Sequence, residues 1–199
     1  MRVSQFLTSI ISVIALAISA YTLYESSLRA PQIATFVAPR IDYVDPDRPE
    51  AVREVFILPM TIANDGARQA TVMAVTLEVT NPRTKQSKTF YAARIGAWGD
   101  PSPKPFAPVP LAGKATFSQA LQFEPHVGEE VARVLDSEPG SYRLKLTLAT
   151  AQAASLLADG VAPLEFEMQA GQMDYRMFQG AGTLMMWAPG YQPASSARR

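Results

Sequence analysis

The chain carries one histidine and no cysteine, which restricts the chemistry that it can perform. Without cysteine it has no disulfide, no thiolate metal site and no cysteine nucleophile. A Ser-His-Asp arrangement or a histidine-based zinc site would depend on His126 alone. That residue follows Pro125, and no nucleophile-elbow pattern accompanies it. We therefore expect an ordinary loop histidine, and a hydrolase remains an alternative that these residues do not favour.

Carboxylates supply two further candidates for chemistry. The densest acidic stretch contains Asp42, Asp45, Asp47 and Glu50. Calcium prefers several oxygen ligands, but the spacing departs from an EF-hand loop, so we interpret the stretch as a solvated loop. Glu165 and Glu167 could form a glycosidase-type pair, yet they alternate with apolar residues and should face water. We therefore predict no catalytic, cofactor-binding or metal site.

The segment from Gly171 to Pro189 is rich in methionine and aromatic residues, a composition that adapts to varied partners. The possible partner-binding surface consists of Met173, Tyr175, Met177, Phe178, Met185, Met186 and Trp187. The competing interpretation is structural, because the same segment could supply a final strand and cover one end of the domain. Gly180-Ala181-Gly182 is too short for a phosphate-binding loop.

Aromatic side chains on a β domain also suit carbohydrate recognition, which gives a second function class. The candidates for such contacts are Trp98, Tyr91, Tyr43 and Trp187. A carbohydrate- or cell-envelope-binding domain is therefore an alternative to a protein-binding module.

These residues follow an apolar segment near the N-terminus. Phe6 to Tyr24 carries no charge and, as a helix, is about 28 Å long, close to the hydrocarbon thickness of a bilayer. We predict a transmembrane anchor within residues 1–29. Ala17-Ile18-Ser19 is an acceptable signal-peptidase site, so a cleaved signal peptide is the alternative. Arg2 on the short flank weakly favours an N-terminus inside the cell and a domain outside.

After Pro31 the apolar residues alternate with polar ones, which is the pattern of strands with one face exposed to solvent and the other buried. The apolar positions of the five clearest runs are Phe56, Leu58, Met60 and Ile62; Met73, Val75, Leu77 and Val79; Phe117, Leu121 and Phe123; Tyr142, Leu144, Leu146 and Leu148; and Leu164, Phe166 and Met168. Residues 32–43 and 88–95 are further strand candidates. Asn64-Asp65-Gly66 predicts a hairpin loop between the first two runs, and a short helix is expected at Val127 to Leu135.

Seven or eight antiparallel strands with one-sided faces need a second apolar layer, and a β-sandwich supplies it. Thr61-Ile62-Ala63-Asn64-Asp65-Gly66 and Pro139-Gly140-Ser141-Tyr142-Arg143-Leu144 resemble strand–turn stretches of immunoglobulin-like and fibronectin-III-like bacterial modules. The chain is similar in this respect to uncharacterised bacterial single-pass membrane proteins. The resemblance covers residues 30–170 and implies an immunoglobulin-like sandwich and no activity. We expect the sandwich domain to occupy residues 30–188, followed by a disordered tail at 189–199.

The charges give no sign of a nucleic-acid footprint, because the 18 basic residues are scattered rather than clustered and 18 acidic residues balance them. The expected function is a non-enzymatic binding or scaffolding module without cofactor. It would be tethered to the bacterial cell membrane through Phe6 to Tyr24, would contact a protein partner in the membrane or envelope, and would face the periplasm.

Overall fold

The computed structural model describes residues 2–44, 54–126, 133–135, 138–152 and 155–191. It begins with helix α1 (Arg2–Leu23), which a π-helical turn continues through Tyr24–Leu28. Residues Leu7–Leu28 have a mean hydropathy of 1.8, and none of this stretch is buried against the rest of the protein. The helix is thus long and apolar enough to cross a membrane, a test that an N-terminal signal sequence also passes.

The remainder of the described chain is mainly β. Its strands are β1 (Ile33–Val37), β2 (Arg40–Val44), β3 (Val55–Asn64), β4 (Ala70–Thr80), β5 (Ser87–Gly96), β6 (Lys104–Pro105), β7 (Val109–Leu111), β8 (Thr116–Pro125), β9 (Gly140–Gln152), β10 (Ser155–Gly160), β11 (Leu164–Ala170) and β12 (Thr183–Trp187). Helix α2 (Gln172–Ala181) connects β11 to β12.

Eight of these strands close into an antiparallel barrel, which corrects the predicted immunoglobulin-like sandwich. Going round the ring, β9, β11, β12, β2, β3, β8, β5 and β4 pair in that order, and β4 pairs with β9 to close it. The strands β1, β6, β7 and β10 extend the wall locally at β3, β5, β4 and β9. A sandwich and a small barrel bury the same alternating faces, so strand alternation cannot distinguish them.

Side chains fill the barrel interior, as the radius of an eight-stranded barrel requires. The predicted inward faces of β3 and β9 are confirmed, since the alternating apolar residues of both strands are buried. On β4 the prediction fails at one position. A register shift between Val72 and Ala74, opposite β9, turns Val72 inward and leaves Met73 exposed.

The predicted hairpin of β3 and β4 is wrong, because these strands are not neighbours in the ring. β3 pairs with β8, β2 and β1, while β4 pairs with β5, β9 and β7. Residues 65–69 therefore cross one end of the barrel instead of turning back on the same edge. The hairpin in this region is β4–β5, where Thr80 lies opposite Ser87.

Most of the predicted helix at Val127 to Leu135 lies outside the described residues; Val134 and Leu135 are described and buried. The described helix of the domain, α2, is in the Met- and aromatic-rich segment. Of the predicted tail, residues 192–199 also lie outside the described residues, whereas 189–191 belong to a turn in which the Tyr191 N–H donates to the Ala188 carbonyl at 3.0 Å.

Candidate functional site

Backbone hydrogen bonds join the end of the N-terminal helix directly to the barrel. The Arg29 carbonyl accepts the N–H groups of Ala67 and Arg68 at 3.0 and 3.1 Å, and the Gln32 carbonyl accepts the Asp65 N–H at 2.8 Å. Arg29 also pairs with Glu25 in the last helical turn at 2.9 Å. The first of these bonds lies one residue after the helical turn ends at Leu28. We call this junction the collar, consisting of residues 29–32, 64–68 and 111–114.

Asn64 is the centre of the collar and is fully buried. Its Oδ1 accepts the N–H groups of Gln32 at 3.1 Å and Gly66 at 3.0 Å. Its Nδ2 donates to the carbonyls of Arg68 at 2.8 Å and Ala112 at 3.1 Å. One amide thus uses both lone pairs and both N–H groups to hold three chain segments together. The sequence alone indicates Asn64 only as part of a turn.

Two glycines allow the collar segments to approach each other. A Cβ at Gly66 would lie 2.0 Å from the Ala30 carbonyl oxygen, and one at Gly113 would lie 1.9 Å from the Ala67 carbonyl oxygen. Both distances are far inside van der Waals contact with backbone atoms, which cannot rotate away. Any side chain at either position must displace the collar.

The opposite end of the barrel contains a buried ion pair. Lys88 Nζ lies 2.6 Å from Glu54 Oε2, and both side chains are about 5% exposed or less. The Tyr43 hydroxyl donates to Glu54 Oε1 at 3.0 Å, and the Val134 N–H lies 3.4 Å from the same oxygen. The Lys88 ammonium also lies 5.5 Å from the centre of the Phe90 ring. Sequence reasoning missed this pair, since Lys88 looks like a surface residue on a strand.

On the outer wall, an arginine lies over the rings of two tryptophans. The Arg40 guanidinium lies 5.4 Å from the Trp98 ring centre and 5.6 Å from that of Trp187. It also forms a two-point contact with the Asp42 carboxylate at 3.0 and 3.2 Å. Arg40 was not a candidate from sequence, because its two aromatic partners lie far away along the chain.

This stack continues to Tyr191, whose ring lies parallel to that of Trp187 at 5.6 Å with an angle of 14°. Trp187 Nε1 donates to Asp174 Oδ1 at 3.4 Å, and Asp174 Oδ2 accepts the Gly171 N–H at 2.9 Å, which caps α2. A cleft of about 560 Å³ opens beside the two rings. Its lining includes Gly140, Ser141, Gln169, Gly171, Asp174 and Tyr191.

The cleft lies beside the junction of β11 and β12, the two neighbouring strands of the ring with the fewest registered residue pairs. β11 and β12 share one registered pair, Gln169 with Trp187, whereas β11 and β9 share seven. The chain leaves β11 for α2 and returns in β12, so the two strands diverge beyond that pair.

The predicted partner-binding segment divides between interior and surface. Tyr175 and Met186 are buried and Phe178 packs partly against the core, whereas Met173 is exposed and Met185 and Trp187 are half-buried. The side chain of Met177 lies outside those described. The segment therefore contributes both core and surface, and only its surface members can contact a partner.

The four predicted carbohydrate contacts do not form one surface, and two of them lie together. Tyr43 is buried and bonded to Glu54, which removes it from the surface. Tyr91 is exposed on β5, where its ring contacts His126 at 6.0 Å. Trp98 and Trp187 meet through Arg40 and are the two candidates that share a surface.

The acidic candidates lie in two separate places, and part of the first group falls outside the described residues. Asp42 is bonded to Arg40, while Asp45, Asp47 and Glu50 lie outside that part of the chain. Glu165 and Glu167 face outward, opposite Lys145 and Arg143 of β9, along an open groove of about 460 Å³. Among the residues described, no group of three or more His, Asp or Glu side chains is placed to hold a metal ion.

Comparison with known proteins identifies no family. No family model matches the chain, and no curated protein matches it.

Three solved structures share a limited likeness with the chain. A Bordetella pertussis protein designated ApaA has 16% identity and a TM-score of 0.42 over 70% of this chain and 94% of its own. The structural-genomics target SoR45 has 11% identity and a TM-score of 0.37, over 67% of this chain and 84% of its own. An Archaeoglobus fulgidus protein has 10% identity and a TM-score of 0.34, over 71% and 98%. None of these similarities carries an argument about function.

Proposed function

We propose that this protein is a membrane-tethered, non-enzymatic binding or scaffolding module whose barrel is held in one orientation at the membrane surface. The observation that carries the proposal is the collar. The apolar span ends at Leu28, and the hydrogen bonds to the barrel begin at Arg29. At 1.5 Å per residue, Leu7–Leu28 is about 33 Å long, which matches a bilayer core of about 30 Å.

The composition of α1 supports residence in lipid. Three of its hydroxyl groups are satisfied within the helix, since Ser12, Ser19 and Thr22 donate to the carbonyls of Thr8, Ala15 and Ile18 at 2.8–2.9 Å. In a hydrocarbon environment, where water cannot compensate, such internal bonds remove the cost of a polar side chain.

A rigid tether has a functional consequence. Confinement to the membrane raises the effective concentration of the barrel for membrane-bound partners. The hydrogen bonds of the collar also hold the barrel in one orientation relative to the helix, so the same surface of the barrel always faces a partner in the membrane. Arg2 before the span favours retention of the N-terminus inside the cell, which would place the barrel in the periplasm.

The proposal is tested on the full chain with a C-terminal tag in bacterial membranes. We expect an intact N-terminus by mass spectrometry, retention in the membrane after alkaline extraction, and digestion of the barrel by protease added to the outer side. A chain that begins near Ala20 and is released by alkali would overturn the tether. Protection of the barrel in intact spheroplasts would overturn the orientation.

The binding role is tested by photo-crosslinking from the barrel surface in native membranes. A crosslinker at Trp98 should capture a defined membrane or envelope protein, and a crosslinker at Thr116, exposed near the collar, serves as a position control. Identical capture from both positions, or none from either, would contradict an oriented binding module.

A further inference from the structure

We infer that the cleft beside Trp187 and Tyr191 is a binding site for a neutral saccharide, with the Tyr191 ring as its stacking surface. This inference rests on the proposed binding role and names a ligand class for it. The cleft volume of about 560 Å³ falls within the range of small-ligand sites, about 300–1,000 Å³.

Tyr191 is presented to the cleft by a built turn. Gly190 has φ +78°, a left-handed conformation that brings the chain back over β12. The Tyr191 N–H closes the turn on the Ala188 carbonyl, and its ring stacks on Trp187. With one face of the ring against Trp187 and the side chain 47% exposed, an apolar surface is already in place for a ligand. The C–H face of a sugar ring packs on such a surface.

The polar lining of the cleft suits hydroxyl groups. Ser141 offers a hydroxyl, and Gln169 offers an amide, so both can donate and accept. Sugar hydroxyls have the same dual capacity. A few polar groups beside an aromatic surface are the usual composition of a small-ligand site.

The charges around the cleft favour a neutral ligand. The Asp174 carboxylate is occupied by the Gly171 N–H and the Trp187 indole N–H. Arg40 lies over two indole rings and is paired with Asp42. Arg83, whose guanidinium lies near Gly140 at the cleft edge, is paired with Glu138 at 3.2 Å. The two arginines are thus each paired with a carboxylate, and the Asp174 carboxylate already accepts two protein N–H groups, so no described cation at the cleft is left to bind an acidic sugar.

A peptide ligand fits the cleft less well. Proline-rich peptides need a groove lined by several open aromatic faces. The described cleft presents the Tyr191 face, while the Trp187 ring is stacked against Tyr191 and lies 5.6 Å from the Arg40 guanidinium. A peptide cannot add as a strand to β12 beside the cleft, because Trp187 already pairs with Gln169 on one side and Arg40 on the other.

The test uses the full chain in a detergent without a sugar headgroup, applied to an array of neutral and charged oligosaccharides and a proline-rich peptide. We expect retention on a neutral saccharide, and affinity weaker by about tenfold or more for Tyr191→Ala. Tyr191→Phe keeps the ring and should bind within twofold of wild type. Gln169→Ala should weaken binding without changing thermal unfolding.

The chain contains a matched control. Tyr91 is 46% exposed and Tyr191 is 47% exposed, but Tyr91 lies on β5 against His126, away from the cleft. Tyr91→Ala should therefore leave binding unchanged. Equal retention of wild type and Tyr191→Ala, no retention of any saccharide by wild type, or retention on the peptide or charged sugars alone would each overturn the inference. Because the chain is in detergent, failure here leaves the membrane tether untouched, and failure of the tether leaves the cleft untouched.

Discussion

At the collar, the buried polar group is the neutral amide of Asn64; at the other end of the barrel it is the ion pair of Glu54 and Lys88. The amide bonds mainly to backbone groups of three segments, whereas the ion pair joins side chains of β5 and the residue before β3. A buried neutral amide with all its hydrogen bonds made holds the chain segments in place at a modest desolvation cost. A buried ion pair is sensitive to loss of either partner, because the remaining charge stays in a poorly solvated place.

The largest expected effect is at the ion pair. Lys88→Met should lower the free energy of unfolding by about 3–5 kcal/mol, because it leaves the Glu54 carboxylate buried without its cation. Chemical denaturation in detergent, followed by tryptophan fluorescence, measures this loss.

The double variant Lys88→Met/Glu54→Gln is the control for that loss. It removes both charges and keeps the acceptor for the Tyr43 hydroxyl, so it should lose less than about 2 kcal/mol. A double variant as unstable as Lys88→Met would show that packing, and not the unpaired charge, causes the loss.

The second effect is at the collar. Asn64→Ala should cost about 3 kcal/mol, because it leaves the N–H of Gly66 and the carbonyls of Arg68 and Ala112 without their partner. Asn81 is equally buried but makes one bond at 3.0 Å and two at 3.3–3.4 Å. Asn81→Ala should therefore cost only about 1 kcal/mol. Equal losses in the two variants would contradict the special role of the collar amide.

The third prediction separates orientation from stability. Gly66→Ala places a Cβ against the Ala30 carbonyl and should displace the helix from the barrel, with an unfolding cost of about 1–3 kcal/mol. Because the chain has no cysteine, spin labels can be placed uniquely at Thr22→Cys on the helix and Glu165→Cys on the barrel.

Pulsed dipolar spectroscopy should then give a narrow distance distribution for the otherwise unchanged chain and a broad one after Gly66→Ala. The exposed Gln69→Ala, in the same loop, should leave the distribution narrow. A broad distance distribution in the labelled chain that keeps Gly66 would contradict the rigid tether.

The smallest effect is at an exposed ion pair. Arg83 and Glu138 lie 3.2 Å apart, but the Glu138 side chain is 77% exposed. Glu138→Gln should change stability by less than about 1 kcal/mol, since water already solvates both charges. A loss comparable to that of Lys88→Met would show that burial does not determine how much stability is lost when an ion pair loses one partner.

The candidate site was only partly predictable. The sequence identified Trp187 and Trp98 as surface aromatics, yet neither Arg40 between them nor Tyr191 beside them was expected. Arg40 contacts residues that are distant along the chain, and Tyr191 fell in a segment whose composition is typical of a disordered tail. Contacts of this kind depend on strand register, which local composition does not encode.

By itself, the sequence determined the apolar N-terminal helix and the inward faces of β3, β9 and the last part of β4, because each depends on the period of apolar residues. Only the tertiary structure decided that the strands close into a barrel, that β3 and β4 lie apart, and that Val72 replaces Met73 in the core. The physical reason is that alternation specifies which side of a strand is dry, but leaves open which strand lies beside it. The collar belongs to the same class, since Asn64 obtains its role from chain segments that the fold brings to it.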